Sequence, residues 1–343
     1  MRLARVRCIP ASRLLLAERG TTLSHPRIQV VAAVLRDTEG RVLVAERPAG
    51  KPLAGFWEFP GGKLEPSEAA FAALKRELHE ELGIEVGRAY RLLRFTHRYP
   101  EREVELDVWR VTQHTGVPES REGQRLAWQR SGSLLGMGLL PADLPIVRAL
   151  ELPPLLLVTP IPGERVEFLR GLRRSLAAGV DWVQLRAPGM DALSYAALAA
   201  EVVHACRTAG ARVSLHGPLA LALAHELRAD GVHLGQGQLD IRASDRSGLR
   251  LGISCHSAEE MAQALAFKPD YLTLGPVQPT ASHPGIAPMG WGRFRELAAG
   301  SPVPVYGIGG LKPADLETAQ RHAAHGIAAI RSLWDLDHLS ESS

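Results

Sequence analysis

From Leu155 onward the chain repeats one pattern, a short apolar run followed by a longer Ala/Leu/Arg-rich or turn-rich stretch. The runs are "LLLVTP" (155), "WVQLRA" (182), "RVSLHG" (212), "GVHLGQ" (231), "LRLGISCH" (249), "YLTLGP" (271), "VPVYGIGG" (303) and "GIAAIRSLW" (326). Short apolar strands alternating with helices need crossover connections, and crossovers make a parallel sheet covered on both faces. Eight such units in roughly 180 residues are what a compact (β/α)8 barrel requires, slightly below its usual size. Few other chain paths can use so regular a series.

The first half follows different rules. "IQVVAAVLRD", the turn "TEG" and "RVLVAER" predict a β-hairpin over residues 28–47. "YRLLRFTHRYP" and "REVELDVWRVTQ" predict a second β-pair, "QRLAWQR" a further strand and "LPIVRAL" a closing helix. Pro153-Pro154 in "ELPPLL" breaks helix and removes backbone donors. A boundary there divides the 343 residues into two domains. The expected segments are a basic, disordered extension over 1–28, a first domain over 29–150, a linker over 151–154 and the barrel over 155–338.

Charge and composition exclude several classes. The net charge of +3 is set by the head: residues 1–28 hold six arginines and one acid, so the remainder sums to −2. A near-neutral body gives no footprint for duplex nucleic acid. No apolar run approaches the ~18 residues of a membrane span. Cys8, Cys206 and Cys255 are scattered without CxxC spacing, against a disulfide framework or structural zinc and in keeping with a reducing cytoplasm. The head lacks the apolar stretch and cleavage site of a targeting segment.

"EFPGGKLEPSEAAFAALKRELHEELGI" (58–84) carries the densest chemistry. On a helix turning ~100° per residue, Leu74, Leu78 and Leu82 form one stripe and Glu77, Glu80 and Glu81 the adjoining one. No lysine stands at i+4 to offset the repulsion of these carboxylates. Gly61-Gly62 just before the helix lets backbone approach a phosphate closely. Clustered carboxylates beside such a loop suit an oxygen-seeking divalent cation, Mg²⁺ or Mn²⁺.

The spacing Gly62, Glu68, Arg76-Glu77-Leu78-x-Glu80-Glu81-x-Gly83-Ile84 resembles the Nudix box at each of its fixed positions. The resemblance implies a Nudix fold, a mixed sheet between helices, and hydrolysis of a nucleoside diphosphate linked to another group. It further implies Glu77, Glu80 and Glu81 as metal ligands, Glu122 of "REGQ" as an added ligand or base, and Glu68 with Arg76 as supports of the loop and helix. Residues 29–150 resemble the MutT-type enzymes, which clear 8-oxo-dGTP to the monophosphate and pyrophosphate in nucleotide-pool sanitation and DNA repair. That likeness makes Arg47, Phe59, Gly61, Gly62, Lys63 and Tyr99 nucleotide-binding candidates. Phe56, Trp57 and Phe59 could stack on a base or pack in the core. Asp143 stands where the MutT pattern has a purine-reading asparagine; an ionised carboxylate only accepts hydrogen bonds, whereas an amide also donates.

In the barrel, "VQLR" (183–186), "ADGVHLGQ" (229–236), "GISCHS" (252–257), "LGPVQPT" (274–280) and "GIGG" (307–310) resemble the thiamin phosphate synthase/TenI superfamily of TIM barrels. The fold class is therefore α/β and α+β: a Nudix fold followed by a (β/α)8 TIM barrel. The implied substrate site comprises Gln184, Arg186, Ser254, His256, Thr280, Gly309, Gly310 and Ile330. The chain departs from the synthases at their metal and diphosphate ligands: His216-Gly217 replaces Asn-Asp, Gln238 a second aspartate, Pro188 and His283 two lysines, and Arg331 a serine. Little or no synthase activity is expected. A phosphate cradle and His256 remain, which would suit a thiazole tautomerase, an imidazole of pKa near 6.5 being fit for proton transfer, or a sensor of a thiazole phosphate-type ligand. Joining the halves in one chain also admits a Nudix activity on thiamin-related diphosphates. The expected partners are small molecules, with neither duplex nucleic acid nor membrane.

Overall fold

The computed structural model describes residues 27–239, 246–280 and 285–334. The expected 1–28 extension, His283, Cys8 and the last residues of the barrel segment lie wholly or almost wholly outside them. The elements of the first half are β1 (Arg27–Val34), β2 (Val42–Glu46), β3 (Trp57–Glu58), α1 (Ala70–Leu82), β4 (Glu85–Tyr99), β5 (Arg102–Thr115), β6 (Leu126–Gln129) and α2 (Leu144–Leu150). They build two three-stranded sheets, β1-β5-β4 and β3-β2-β6.

The expected hairpin over 28–47 does not form as one. β1 runs parallel to β5, with Val34 opposite Arg110, while β2 pairs antiparallel with β3 and β6. The two strands touch through the Arg36–Val42 bridge and a Leu43 N–H to Leu35 carbonyl bond. Both strands are buried along their inner stretch, and a turn at the Asp37–Gly40 corner sends them into different sheets. The β4–β5 pair is antiparallel as expected.

The leucine stripe of α1 is entirely buried, together with Ala73, against a core that includes Val31, Ala33 and Leu35. Burial of such side chains contributes about 2 kcal/mol each. The helix stops at Gly83, whose left-handed φ of 70° lets its N–H and that of Ile84 return to His79 and Leu78 carbonyls. α2 covers a second core on the other side through Ile146, Val147, Ala149 and Leu150. The result is a mixed β assembly between helices.

The second half contains β7 (Leu155–Val158), α3 (Arg165–Ala177), β8 (Trp182–Leu185), α4 (Ala192–Thr208), β9 (Arg212–His216), α5 (Ala220–Leu227), β10 (Gly231–Leu234), β11 (Arg250–Cys255), α6 (Ala258–Ala266), β12 (Tyr271–Leu274), α7 (Gly290–Ala298), β13 (Val305–Ile308), α8 (Leu316–Arg321), β14 (Gly326–Ala329) and α9 (Arg331–Trp334). The eight strands close into a parallel barrel, β14 pairing with β7. Trp182, Tyr271 and Tyr306 fill its N-terminal end with edge-on ring contacts. Gly252 is required at its place, because a Cβ there would lie 2.3 Å from Tyr271 and 2.4 Å from His233. Cys206 and Cys255 are free and buried, and no helix among the described residues is long and apolar enough to cross a membrane.

The 151–154 segment is packed rather than free. Leu152 is buried, its carbonyl meets His325 Nε2 at 3.0 Å, and the Tyr306 hydroxyl donates to the Pro153 carbonyl. Arg212 donates to the Glu151 carbonyl and Arg250 pairs with the Glu151 carboxylate. The segment therefore closes the end of the barrel at which its strands begin. Arg88 and the Tyr90 hydroxyl, both on β4, reach Glu317 on α8 at 3.3 Å.

Candidate functional site

Three separate segments meet beside the Gly61-Gly62 loop. α1 supplies Glu77 and Glu81, β3 supplies Glu58, and the β5–β6 connection supplies Glu122; Glu46, Glu58, Glu81 and Glu122 line one pocket. The Gly61 N–H donates to Glu81 Oε2 at 3.0 Å. Gly61 has a φ of 144°, and a Cβ there would lie 2.1 Å from the Val31 carbonyl oxygen. At Gly62 a Cβ would lie 2.1 Å from a carboxylate oxygen of Glu77, so both glycines leave room that a side chain would fill. Burial raises the Glu81 carboxyl to about 8, helped by Glu122, Glu58 and Glu77 and opposed by the Gly61 N–H. Glu77 is raised for the same leading reason, with Arg76 opposing.

Arg76 supplies the counter-charge that the helical i+4 positions of the three glutamates lack. Its guanidinium grips Glu68 through two bonds (3.1 and 2.9 Å), Glu77 Oε1 at 2.8 Å, Glu80 Oε2 at 3.3 Å and the Lys63 carbonyl at 3.1 Å. The carboxylates of α1 thus do have a cationic partner, four residues before Glu80 and one before Glu77. Glu80 is exposed and does not line the pocket. Among the described residues no three acidic, histidine or cysteine side chains are drawn into a ready cage. The donor chemistry nevertheless fits a hard divalent cation: carboxylate oxygens of Glu77, Glu81 and Glu122, with the partly buried Glu81 acid the group a cation would most favour in ionised form.

Glu58, Gln124 and Lys51 are absent from the sequence-level set. Gln124 is buried; its amide donates to the Glu81 carbonyl at 3.2 Å, while its oxygen accepts from the Glu122 N–H at 2.9 Å and the Ser120 hydroxyl at 3.0 Å. It ties the Glu122 loop to α1. Lys51 Nζ pairs with Glu122 Oε2 at 2.9 Å. "EFPGGK" and "REGQ" contain two of the three, yet their roles depend on contacts far apart in sequence.

A second cluster adjoins the pocket through Glu58. Arg47 pairs with Glu58 and donates to the Pro52 carbonyl at 2.8 Å. Asp143 is 4% exposed and accepts the Phe59 N–H at 3.2 Å. Burial pushes its carboxyl up to about 8, with Glu58 adding to the rise and the Phe59 N–H and Arg47 opposing it. Tyr99 stands close enough to Asp143 for burial and that carboxylate to raise its phenol. The Phe59 ring lies in the core at 4% exposure, which takes it out of the base-stacking set, while its backbone N–H faces Asp143. Trp57 packs against the same core, leaving Phe56 as the exposed ring. Lys63 is exposed and its carbonyl accepts from Arg76.

The barrel residues gather at the C-terminal ends of the strands. Gln184 is buried on β8, and the backbone of Arg186 exchanges hydrogen bonds with the Thr159 hydroxyl. Ser254 on β11 meets His233 Nε2 at 2.9 Å and accepts from the Thr273 hydroxyl at 3.2 Å. His256 Nδ1 lies 2.9 Å from Glu260, its ring half exposed. Gly309 and Gly310 adopt φ of 97° and 70°; a Cβ would come within 2.6 Å of Pro276 and 2.5 Å of the Pro279 oxygen. Thr280 lies in the connection between β12 and α7, and Ile330 between β14 and α9. His216 stacks on His233 at 6.2 Å, and burial with the Arg186 charge lowers it to about 4. Gln238 spends its side-chain oxygen on the Gly235 N–H at 3.0 Å.

Comparison with known proteins identifies both halves. Residues 31–149 match the NUDIX domain and residues 155–333 match thiamine monophosphate synthase. A CTP pyrophosphohydrolase of Escherichia coli is 40% identical over 122 residues, covering 36% of this chain and 90% of that protein. An 8-oxo-dGTP diphosphatase of Proteus vulgaris is 41% identical over 101 residues, 29% of this chain and 90% of its own length. A thiamine-phosphate synthase of Deinococcus radiodurans is 34% identical over 229 residues, 64% of this chain and 80% of its own.

Proposed function

Given a chain that belongs to the Nudix family in its first half and to the thiamine monophosphate synthase family in its second, we propose that the first half is a Mg²⁺-dependent (or Mn²⁺-dependent) nucleoside triphosphate pyrophosphohydrolase that converts 8-oxo-dGTP to 8-oxo-dGMP and pyrophosphate. The observation that carries this reading is the meeting of Glu58, Glu77, Glu81 and Glu122 beside the Gly61-Gly62 loop. Glu77, Glu81 and Glu122 would hold the cation, with the exposed Glu80 at the rim. A bound divalent cation neutralises the phosphate oxygens and lowers the pKa of an attacking water. Arg76 keeps Glu77 aimed at the loop, the Gly61 N–H fixes Glu81, and Gln124 holds the Glu122 loop against α1. Glu122 would serve either as a further ligand of the cation or as the base that takes the proton of the water.

The base is read at Asp143. A carboxyl with a pKa near 8 is protonated at neutral pH, so it can donate to a base carbonyl as well as accept, as the asparagine of the MutT pattern does. Arg47 and Tyr99 flank it. In the barrel, Gly217 and the committed amide of Gln238 stand where synthases keep metal carboxylates, with His216 at the neighbouring asparagine position, which supports loss of synthase activity and retention of a phosphate-ester pocket at Gly309 and Gly310. The fusion to this barrel favours one second reading, a Nudix activity on thiamin-related diphosphates.

One comparison tests both: kcat/KM for 8-oxo-dGTP, dGTP, CTP and thiamin diphosphate analogues with Mg²⁺. Preference for 8-oxo-dGTP supports the first reading; preference for a thiamin analogue or for CTP refutes it. Mixing the pyrimidine diphosphate with the thiazole phosphate tests the barrel, where thiamin phosphate formation at ordinary synthase rates would overturn its assignment.

A further inference from the structure

The acidic pocket of the first domain has to receive a polyanion. Four carboxylates line it, and among the described lining residues Lys51 carries the one positive charge. Lys51 belongs to the loop between β2 and β3. Arg47 and Phe56 pin that loop at its base through the Arg47 N–H to Phe56 carbonyl and Gly55 N–H to Arg47 carbonyl bonds. Its tip is exposed, and from it the Lys51 side chain reaches across the pocket mouth to Glu122 Oε2 at 2.9 Å. Glu122 belongs to the opposite wall, so this ion pair straps two connections together over the carboxylates.

Both partners of the pair are close to half exposed. Ion pairs of this kind add little stability, so exchanging one anion for another on the same ammonium is easy. Glu122 in turn has a better use for its charge when a divalent cation is at hand, because a cation of charge two outcompetes an ammonium for a carboxylate. A lysine side chain has four flexible carbons and acts as a mobile point charge toward phosphate.

We propose that Lys51 is a phosphate-capturing arm, handed from Glu122 to the phosphate chain of the substrate as Glu122 turns to the cation. The loop thereby closes over the substrate while Glu122 gives up its ammonium partner. This inference rests on the hydrolase reading above and assigns that site a further binding residue.

The test uses the full chain with Lys51→Met and Lys51→Arg, and two probes that are not hydrolysed in the binding assay: Mn²⁺ alone, counted by electron paramagnetic resonance, and tripolyphosphate added with Ca²⁺ or Mn²⁺. Lys51→Met is expected to weaken tripolyphosphate binding by about tenfold or more, the effect of one lost charge-assisted bond. Mn²⁺ binding is expected to stay unchanged or to tighten, since a competitor has been removed. Lys51→Arg should retain most of the tripolyphosphate affinity. Equal tripolyphosphate affinity in wild type and Lys51→Met overturns the arm and leaves the hydrolase reading standing. Weaker Mn²⁺ binding in Lys51→Met would make the lysine a support for Glu122 and also overturn it. A wild-type protein that binds neither probe overturns arm and hydrolase reading together.

Discussion

Replacing Asp143 with asparagine tests whether a buried acid is kept neutral. Asp143 is 4% exposed and its carboxyl rises from 3.8 to about 8. Burial is the leading cause, Glu58 adds to it, and the Phe59 N–H and the Arg47 charge oppose it. The sign follows from proton counting. Between pH ~4 and ~8 the folded state holds a proton that the unfolded state has released, so folding stability falls as pH rises through that window. The slope is about 1.4 kcal/mol per pH unit, and between pH 5 and 8 the ceiling is about 4 kcal/mol. Relaxation or water entry on ionisation would reduce it to about half. The amide of the Asp143→Asn variant has no such proton to lose. The variant should therefore gain on wild type as pH rises from 5 to 8, read by urea denaturation of the first domain's transition, and a ¹³C-carboxyl titration of the wild type should show one aspartate still protonated at pH 7. Stability differences that stay parallel across that range, or no such aspartate signal, would refute the account of how this position reads a base. Activity adds a second check: the wild-type preference for an 8-oxo base should decline above pH 8, while that of the variant stays flat.

Glu81→Gln should lower kcat by about 10²-fold or more without lowering thermal stability, because the amide keeps the Gly61 bond and relieves a crowded acid; an active variant would contradict the metal assignment. Gly62→Ala should push the Glu77 carboxylate from its place and weaken Mn²⁺ binding several-fold, and unchanged binding would show that Glu77 is not a ligand. Tyr306→Phe removes a buried hydroxyl bond to Pro153, with an expected loss of about 1 kcal/mol; hydrogen exchange should then rise at Leu152 and at residue 155, and an unaltered pattern would mean the linker is not held there. EDTA should abolish hydrolysis and Mg²⁺ restore it, so turnover after exhaustive chelation would remove the cation from the mechanism.

Periodicity alone determined much of this protein. The eight apolar runs after Leu155 became the eight barrel strands, and the Leu74, Leu78 and Leu82 stripe became the buried face of α1. Such patterns are legible because they record which side of a local element meets the core, and a helix or strand carries that information within a few residues. The box spacing likewise placed Glu77 and Glu81 on one helix beside two glycines. Whatever depended on contacts between distant segments was decided only by the tertiary structure. The β1 and β2 runs read as a hairpin, since each is a good strand and the turn between them is real; their assignment to different sheets follows from β5 and β6, about 70 to 90 residues away. Arg76 as counter-charge, Gln124 as tether, Glu58 as a further pocket acid and Lys51 as its cation all arise from loops that approach one another in space. The Phe59 ring went to the core for the same reason, and Asp143 became an acid near pKa 8 because neighbours from β3 and the end of β4 exclude water from it. Charge and burial at a site are sums over everything packed around it, and that sum exists once the chain has folded.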